Sequence, residues 1–307
     1  MTIQRILILG GTGHYGREIV RSLVEKGTAV RVLTRDAGHA RRTLGDRPEF
    51  VEGDITAGDC VREALQGASA LVIAVSAFSP DQIRRIKVVE QDAVIAALRE
   101  AGAAGVKRVV FVSVFEVKED LARKHKIDSG NAKLEVERFL AGSEFNWTVL
   151  GAPPSMDLFF RMLRGNTLAV PGGGPKALPT IAPRDLGEIA ARAVLRDDLA
   201  RRRIRVVGEV LGFREAAERF SRFYGKPVKF RKIPLLLPRI ARALTGILSP
   251  FSNRIYYVHS LLGFIKLLNQ FPPEIAAEAR QDLIDLRRIF DFVPTTLELE
   301  AERRRRG

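Results

Sequence analysis

Seven residues near the start of the chain have the types and spacing to hold an anion. The run GGTGHYG, residues 10–16, follows a short apolar stretch and precedes a helical pattern. Its glycines satisfy G-x-x-G-x-x-G and G-x-G-x-x-G, which let a backbone turn tightly and approach a pyrophosphate. The next helix directs free N–H groups and its positive dipole end at the anion. We therefore predict a dinucleotide site rather than an ordinary strand-to-helix turn, with contacts from Gly10, Thr12, Gly13, His14, Tyr15 and Gly16.

Arg35 stands where such a site distinguishes its two common cofactors. In a βαβ unit, an acidic residue after the second strand binds the ribose 2′-hydroxyl, whereas a basic residue accepts a 2′-phosphate. The sequence here is Thr34-Arg35-Asp36, and a guanidinium pairs well with phosphate. We therefore expect NADP(H) in preference to NAD(H), with Asp36 capping the following helix. The alternative is that Arg35 is a surface arginine of a basic protein.

Two further segments supply expected cofactor contacts. Asp54 and Ile55 follow the third predicted strand, in the loop that passes the adenine in this class of sheet. There an Asp carboxylate can accept from the adenine amino group. The alternative is that Asp54 caps the helix that starts near Asp59. Val75 and Ser76 end the fourth predicted strand and complete the expected cofactor contacts.

The elements that position these residues alternate between strands and helices. Strands are predicted at 6–9, 29–33, 50–51, 70–75, 106–112 and 145–150, with helices at 16–26, 81–101 and 131–140. This alternation predicts an α/β protein with a doubly wound parallel sheet. We assign residues 1–152 to the resulting Rossmann domain. Residues 153–307 then form a smaller, mostly helical substrate or cap region, which is interleaved with the sheet and includes residues 178–208.

The later part of the chain is less regular. Asp185 is predicted to cap a helix that runs to Leu195, and the charged tail 298–306 is expected to fray. Residues 233–268 combine apolar residues at helical spacing with arginines and two tyrosines. That mixture suits an interfacial helix on anionic lipid, so a peripheral membrane contact is one hypothesis for this segment. The alternative is that these helices cover the substrate cleft or a dimer face.

Composition narrows the class of protein. Of 307 residues, 46% are hydrophobic and 28% charged, the balance of a soluble globular protein. Cys60 is the only cysteine, so we expect a reducing, cytoplasmic location. We expect neither a signal peptide nor a membrane-spanning segment. The formal charge of +14 is spread along the chain without a nucleic-acid motif, so no specific nucleic-acid partner is expected.

With these residues in view, the chain resembles the atypical short-chain dehydrogenase/reductases, and more narrowly the NmrA-like NAD(P)-binding proteins. The resemblance runs from Ile6 to about Leu195 and more thinly to the end of the chain. It rests on the glycine run, Thr34-Arg35, Gly53-Asp54-Ile55, Phe111-Val112-Ser113, Lys133 with Glu137, Trp147-Thr148-Val149-Leu150, and Phe292-Val293-Pro294-Thr295. It implies a Rossmann domain whose cofactor lies across the carboxyl ends of the strands, and a smaller C-terminal substrate part.

The resemblance also implies a catalytic set of Ser, Tyr and Lys. In active relatives the Tyr exchanges a proton with the substrate oxygen, the Lys lowers its pKa and holds the nicotinamide ribose, and the Ser orients the carbonyl. Ser113 and Lys133 stand at matching positions, but the residue four before Lys133 is Ser129. A serine hydroxyl does not replace an activated phenol as a general acid.

Two roles remain open for each of these catalytic candidates. Lys133 is expected to contact the ribose and the substrate, and the alternative is a solvated residue on a helix. Ser113 either acts in catalysis or caps and lines the cleft. His125 would donate a proton only if its loop folded inward. His39, His125 and His259 show no metal-ligand spacing among themselves or with Cys60, so no metal is expected.

Two functions follow as expectations. The first is an NADP(H)-dependent reductase with an unusual proton donor, acting on a small carbonyl, quinone or enone-type substrate. The second is a non-catalytic NADP(H)-binding sensor, regulator or assembly subunit, because binding needs only the glycine run and Arg35. The sequence leaves the oligomeric state open.

Overall fold

Strand β1 (Ile6–Leu9) is buried along its whole length inside a seven-stranded parallel sheet. The computed structural model describes residues 5–116 and 128–306. Across the sheet the strands follow the order β10 (Arg202–Arg205), β6 (Asn146–Ala152), β5 (Arg108–Val114), β4 (Ala70–Ile73), β1, β2 (Val30–Thr34) and β3 (Glu49–Glu52). The chain winds one way from β1 to β3 and the other way from β4 onward. This reversal confirms the doubly wound α/β fold and creates a crevice at the carboxyl ends of β1 and β4.

The sheet belongs to the first of two compact units, which comprises Met1–Phe78, Arg84–Ala152 and Pro183–Arg205. Its helices are α1 (Gly16–Glu25), α2 (Ala37–Leu44), α3 (Gly58–Leu65), α4 (Ala93–Ala103), α5 (Asp128–Ala141) and α7 (Pro183–Val194). Helices α1 and α7 pack closely because Gly187 has no side chain, and a Cβ there would lie 2.6 Å from the Glu18 backbone. Since α7 begins at Pro183, Asp185 lies inside its first turn, and the prediction that Asp185 is the cap is wrong.

The prediction of one continuous helix over 81–101 is wrong for the first half of that range. The chain instead forms a 3₁₀ turn at Ile83–Arg85 and a π-helical turn at Lys87–Asp92, and only then enters α4. A π turn adds a residue to the helical repeat and so changes which side chains face inward. Here Glu90 is fully buried within the π turn.

The second unit comprises Ser79–Ile83, Pro153–Ala182 and Val206–Gly307. Its strands form a three-stranded sheet of β7 (Leu163–Arg164), β8 (Thr167–Pro171) and β12 (Lys229–Ile233), and a pair of β9 (Leu178–Thr180) with β11 (Glu209–Leu211). Its helices are α6 (Asp157–Met162), α8 (Phe213–Tyr224), α9 (Leu236–Leu248), α10 (Asn253–Asn269), α11 (Pro273–Phe290) and α12 (Leu297–Arg306). Aromatic residues of α6 and α8 dominate its core, and the Phe159 and Phe213 rings meet edge to face.

The expectation of a frayed tail is wrong, because the tail forms α12. Leu297 and Ala301 are buried on one side of this helix and belong to the core of the second unit. Arg304 forms an ion pair with Asp157 and places its guanidinium 4.2 Å from the centre of the Phe160 ring. Two apolar contacts and an ion pair therefore hold α12 in place, although most of its residues are charged.

Candidate functional site

The glycine run forms a tight turn between β1 and α1. Gly10 has a φ of +83°, and a Cβ there would lie 2.6 Å from the Ala74 carbonyl oxygen of the neighbouring strand end. The Gly13 amide donates to the Gly10 carbonyl at 3.0 Å. A Cβ on Gly16 would lie only 1.9 Å from the same carbonyl oxygen. Positions 10 and 16 therefore require glycine for the turn itself, before any ligand is considered.

The turn leaves main-chain donors at the start of α1. Tyr15 occupies the N-cap position without a capping hydrogen bond from its side chain. Within residues 5–116 and 128–306, the amides of Thr12 and Gly16 donate to no acceptor. Gly13 is exposed, and the His14 and Tyr15 rings lie beside each other with centroids 4.9 Å apart. The unpaired N–H groups and the positive end of the α1 dipole therefore lie together, and this arrangement is typical of anion-binding sites.

Arg35 follows β2 with its side chain exposed. It forms no ion pair with a carboxylate in the described part of the chain. Its neighbour Asp36 accepts from the His39 amide at 2.7 Å and caps α2, as predicted. The acidic residue at this position is therefore used by the helix, while the guanidinium is available to a ligand.

Asp54 closes a turn rather than capping α3. Its carboxylate accepts from the Thr56 amide at 2.9 Å and the Thr56 hydroxyl at 2.7 Å. Helix α3 begins at Gly58 with Ala57 as its N-cap, so the alternative that Asp54 caps this helix is wrong. Partial burial would raise the pKa of Asp54, but the Thr56 hydrogen bonds and the charges of Arg85 and Arg35 hold it below the ordinary value. Arg85 is a nearby cation that sequence reasoning missed.

The residues after β4 connect the crevice to α5. Val75 is buried, and its carbonyl accepts from Lys133 Nζ at 3.1 Å. Ser76 is exposed, and its hydroxyl donates to Glu90 at 3.4 Å. Ile55 is half-buried and packs against the core of the sheet unit.

Lys133 is buried, with 9% of its surface exposed, so the alternative of a solvated helix residue is wrong. Besides the Val75 carbonyl, Nζ contacts the Val112 carbonyl at 3.4 Å and lies 3.6 Å from Glu90 Oε2. The last distance is too long for a hydrogen bond, so two of the three ammonium N–H groups are used. The third remains for another acceptor.

Glu90 is the functional candidate that sequence reasoning missed. Its carboxylate is fully buried and accepts from the Ala77 amide at 2.6 Å and the Ser129 hydroxyl at 2.6 Å. Together Glu90, Ser129 and Lys133 form what we call the lysine cluster. The sequence signal was an acidic residue beside the apolar stripe of a predicted helix, but the π turn that buries it has no recognised sequence pattern.

Ser113 lies outside the lysine cluster. Its buried hydroxyl donates to Glu137 at 2.5 Å, and Glu137 also accepts from Arg203 Nε at 2.8 Å. The structure therefore supports a positioning role in this pair more directly than contact with a substrate. His125 lies outside the described residues.

The model of the NmrA-like family matches residues 2–281. The chain belongs to the NmrA-like family. This confirms the resemblance drawn from the glycine run and the strand ends.

This NmrA-like chain is similar to proteins with different assigned roles. It is 26% identical over 269 residues to the Photosystem II assembly factor Ycf39 of Synechocystis, covering 86% of this chain and 80% of that protein. It is 27% identical to the NAD(P)H azoreductase of Xenophilus azovorans, covering 80% and 82%. The fold matches the Citrobacter triphenylmethane reductase complexed with NADP(H), with a TM-score of 0.73, 16% identity, and coverage of 97% and 99%. The fold is thus one that reductases use.

No group of three or more His, Cys, Asp or Glu in 5–116 and 128–306 is arranged to hold a metal ion. Among the helices of that same part of the chain, none has both the length and the apolar character needed to cross a bilayer.

Proposed function

We propose that this protein binds NADP(H) and reduces a quinone-like acceptor. The observation that carries the proposal is the placement of two features at one edge of one sheet. The glycine turn follows β1, and Lys133 is held by carbonyls at the ends of the adjacent strands β4 and β5. In an open parallel sheet, ligands bind at the carboxyl ends of the strands beside the reversal of strand order.

The residues at this edge fit a phosphorylated dinucleotide. The amides of Thr12 and Gly16 would hold the pyrophosphate, and Arg35 with Arg85 would hold the 2′-phosphate. Asp54 would accept from the adenine amino group, and Ile55, Val75 and Ser76 would line the path between the adenine and nicotinamide ends of the cofactor. When bound, the nicotinamide supplies the hydride.

Lys133 would orient the reacting end of the site. Its two hydrogen bonds to strand carbonyls fix the ammonium, and the third N–H is left for a ribose hydroxyl or a substrate oxygen. Glu90 places a carboxylate oxygen 3.6 Å from the buried Lys133 Nζ, and this opposite charge offsets part of the cost of burying the ammonium. A fixed positive charge of this kind stabilises negative charge that develops on a substrate oxygen.

The proton requirement favours a quinone over a simple ketone. Hydride addition to a ketone forms an alkoxide, which is about as basic as hydroxide and therefore needs a positioned acid to protonate it. Hydride addition to a quinone forms a hydroquinone anion, a phenolate with a pKa of about 10, which water protonates readily. The Ser129 hydroxyl donates its hydrogen bond to Glu90, so in this arrangement it is not available as a donor to a substrate oxygen.

The similar proteins support this choice of acceptor. The azoreductase and the triphenylmethane reductase are named for the reduction of conjugated organic molecules rather than simple ketones. Conjugated acceptors share with quinones the ability to delocalise the charge that arrives with the hydride. The expected balance is one quinone, one NADPH and one proton giving one hydroquinone and one NADP⁺.

The test is NADPH oxidation with a panel of benzoquinones, naphthoquinones, ketones and aldehydes. We expect turnover with quinones and none with simple ketones. Calorimetry in parallel separates binding from chemistry. Failure to bind NADPH would overturn the cofactor assignment, and tight binding without oxidation by any quinone would overturn the reductase.

A second candidate is a non-catalytic NADP(H)-binding assembly subunit. The similarity to an assembly factor over 86% of the chain favours it, as does the serine in place of the catalytic tyrosine. Under this alternative the lysine cluster would serve to order the site when the cofactor binds. NADPH-dependent protection from proteolysis, without turnover, is the result that would favour it.

A further inference from the structure

Helix α9 has no buried residue along its 13 positions. Its large apolar side chains are exposed and fall on one face, which we call the apolar face of α9. The exposed fractions are Leu236 64%, Leu237 68%, Ile240 49%, Leu244 57%, Ile247 71% and Leu248 49%. Phe251, in the turn that follows, is 84% exposed. From this surface we infer that helices α9 and α10 dock onto an anionic lipid bilayer.

The opposite side of α9 explains why this face stays outward. The helix packs against α10 through small and polar groups: a Cβ on Gly246 would lie 3.3 Å from the His259 ring. His259 Nδ1 lies 3.1 Å from the Arg242 carbonyl and 3.3 Å from the Thr245 hydroxyl. Because these small and polar groups face α10, the leucine-rich side of α9 stays exposed.

The positive charge of α9 and α10 favours an anionic partner. Residues 236–269, which span α9 and α10, contain four Lys and Arg residues and no Asp or Glu. Arg239, Arg254 and Lys266 are exposed on the two helices. An apolar helix face flanked by cations matches the boundary between acyl chains and anionic headgroups. A second copy of the chain would instead bring the same positive charge against itself, which disfavours self-association through this face.

The mode of contact is peripheral. Helix α9 is amphipathic, and none of the described helices can span a bilayer. A helix of this kind lies in the plane of the interface with its leucines below the headgroups and its arginines at their level. The inference concerns the second unit alone and does not depend on the reductase proposal.

The experiment is flotation of the full-length protein with vesicles of phosphatidylcholine, with and without phosphatidylglycerol, at low and high salt. We expect binding to the anionic vesicles only, weakened by salt. Ile247→Glu should weaken binding at least about tenfold, because it places a carboxylate in the apolar face. Arg239→Gln with Arg254→Gln should weaken it about fivefold for each charge removed.

Val293→Glu is the matched control. Val293 is 85% exposed and lies between α11 and α12, so the variant adds the same charge outside the surface and should bind as the wild type does. Circular dichroism confirms that each variant folds. The inference is overturned if the wild type stays unbound to anionic vesicles at low salt, or if Val293→Glu weakens binding as much as Ile247→Glu. Conversion of a dimer to a monomer by Ile247→Glu, without vesicle binding by the wild type, would assign the face to a second copy and likewise overturn it.

Discussion

The glycine turn and the lysine cluster lie at the same edge of the sheet but are built in opposite ways. The turn comes from one run of residues, 10–16, and its donors are main-chain amides. The lysine cluster draws side chains from Glu90, Ser129 and Lys133 and carbonyls from two strand ends. The glycine turn presents main-chain donors beside the exposed Gly13, whereas the lysine cluster buries a positive and a negative side chain together.

Under the proposed function, this difference separates the features expected to bind the cofactor from those expected to act on the substrate. The proposed anion site relies on backbone geometry, so we expect it to tolerate side-chain changes outside the glycines that leave the turn intact. The lysine cluster depends on the opposite charges of Lys133 and Glu90, which are both buried. Removing one of them leaves the other as an unpaired buried charge, which is strongly destabilising. Variants at the two features should therefore fail in different ways.

The largest effect is expected from Lys133→Met. The variant leaves the fully buried Glu90 carboxylate without its cation, which we expect to cost about 3 to 5 kcal/mol of unfolding free energy. Denaturant unfolding measures this, and adding Glu90→Gln should recover much of the loss. Lys107→Met, at an exposed lysine before β5, is the control. A loss below about 1 kcal/mol would show that the pair is not coupled as the geometry indicates.

Gly16→Ala should come next. The added Cβ would meet the Gly10 carbonyl at 1.9 Å, so the turn must shift, at a cost of about 2 to 3 kcal/mol and with loss of NADPH affinity. Gly58→Ala is closely matched, because Gly58 also begins a helix but is exposed, and an added Cβ would meet only the end of the flexible Arg62 side chain at 3.4 Å. Thermal unfolding and calorimetry should leave Gly58→Ala near the wild type. Equal behaviour of the two variants would contradict the close packing of the turn.

Arg35→Ser should lower the affinity for NADPH without changing the free energy of unfolding, unlike the variants of the lysine cluster. We expect NADPH to bind about tenfold more weakly, while NADH affinity stays the same, because only NADPH carries the 2′-phosphate. Titration of both nucleotides gives the ratio. Arg47→Ser removes another exposed arginine of the sheet unit and should change neither value. An unchanged NADPH affinity in Arg35→Ser would place the phosphate elsewhere.

The smallest effect is expected from Asp54→Asn. Because the pKa of folded Asp54 lies below its ordinary value, the ionised carboxylate stabilises the fold above about pH 4, and this contribution disappears as the pH falls through the lower folded pKa. Its exposure limits the gain to a few tenths of a kcal/mol. Unfolding free energies of the two proteins should therefore differ slightly at neutral pH and converge in strong acid. A gap that widens on acidification would reverse the sign of this effect.

Much of the cofactor edge could be predicted from the sequence, and the reason is local. A buried strand, a glycine turn and a helix are specified by residues close together in the chain, so β1, the turn and α1 lie where the pattern indicates. The same holds for Asp36, whose side chain reaches only three residues forward to cap α2. The cofactor preference at Arg35 remains a prediction that the titration above would test.

The positions that sequence reasoning missed all depend on distant partners. Arg85 approaches Asp54 from another segment, and the π turn that buries Glu90 has no sequence signature. The tail became a helix because Arg304 meets Asp157 and two small apolar residues reach the core. None of these contacts could be inferred from periodicity.

The sequence by itself determined the doubly wound sheet and the place of the glycine turn, because each follows from residue types at short spacing. Only the tertiary structure decided that Lys133 is buried, that Glu90 balances it, and that the leucines of α9 face outward. Burial of a charge or exposure of an apolar face is set by what packs against it. Those neighbours are remote in the chain and become known only when the fold brings them together.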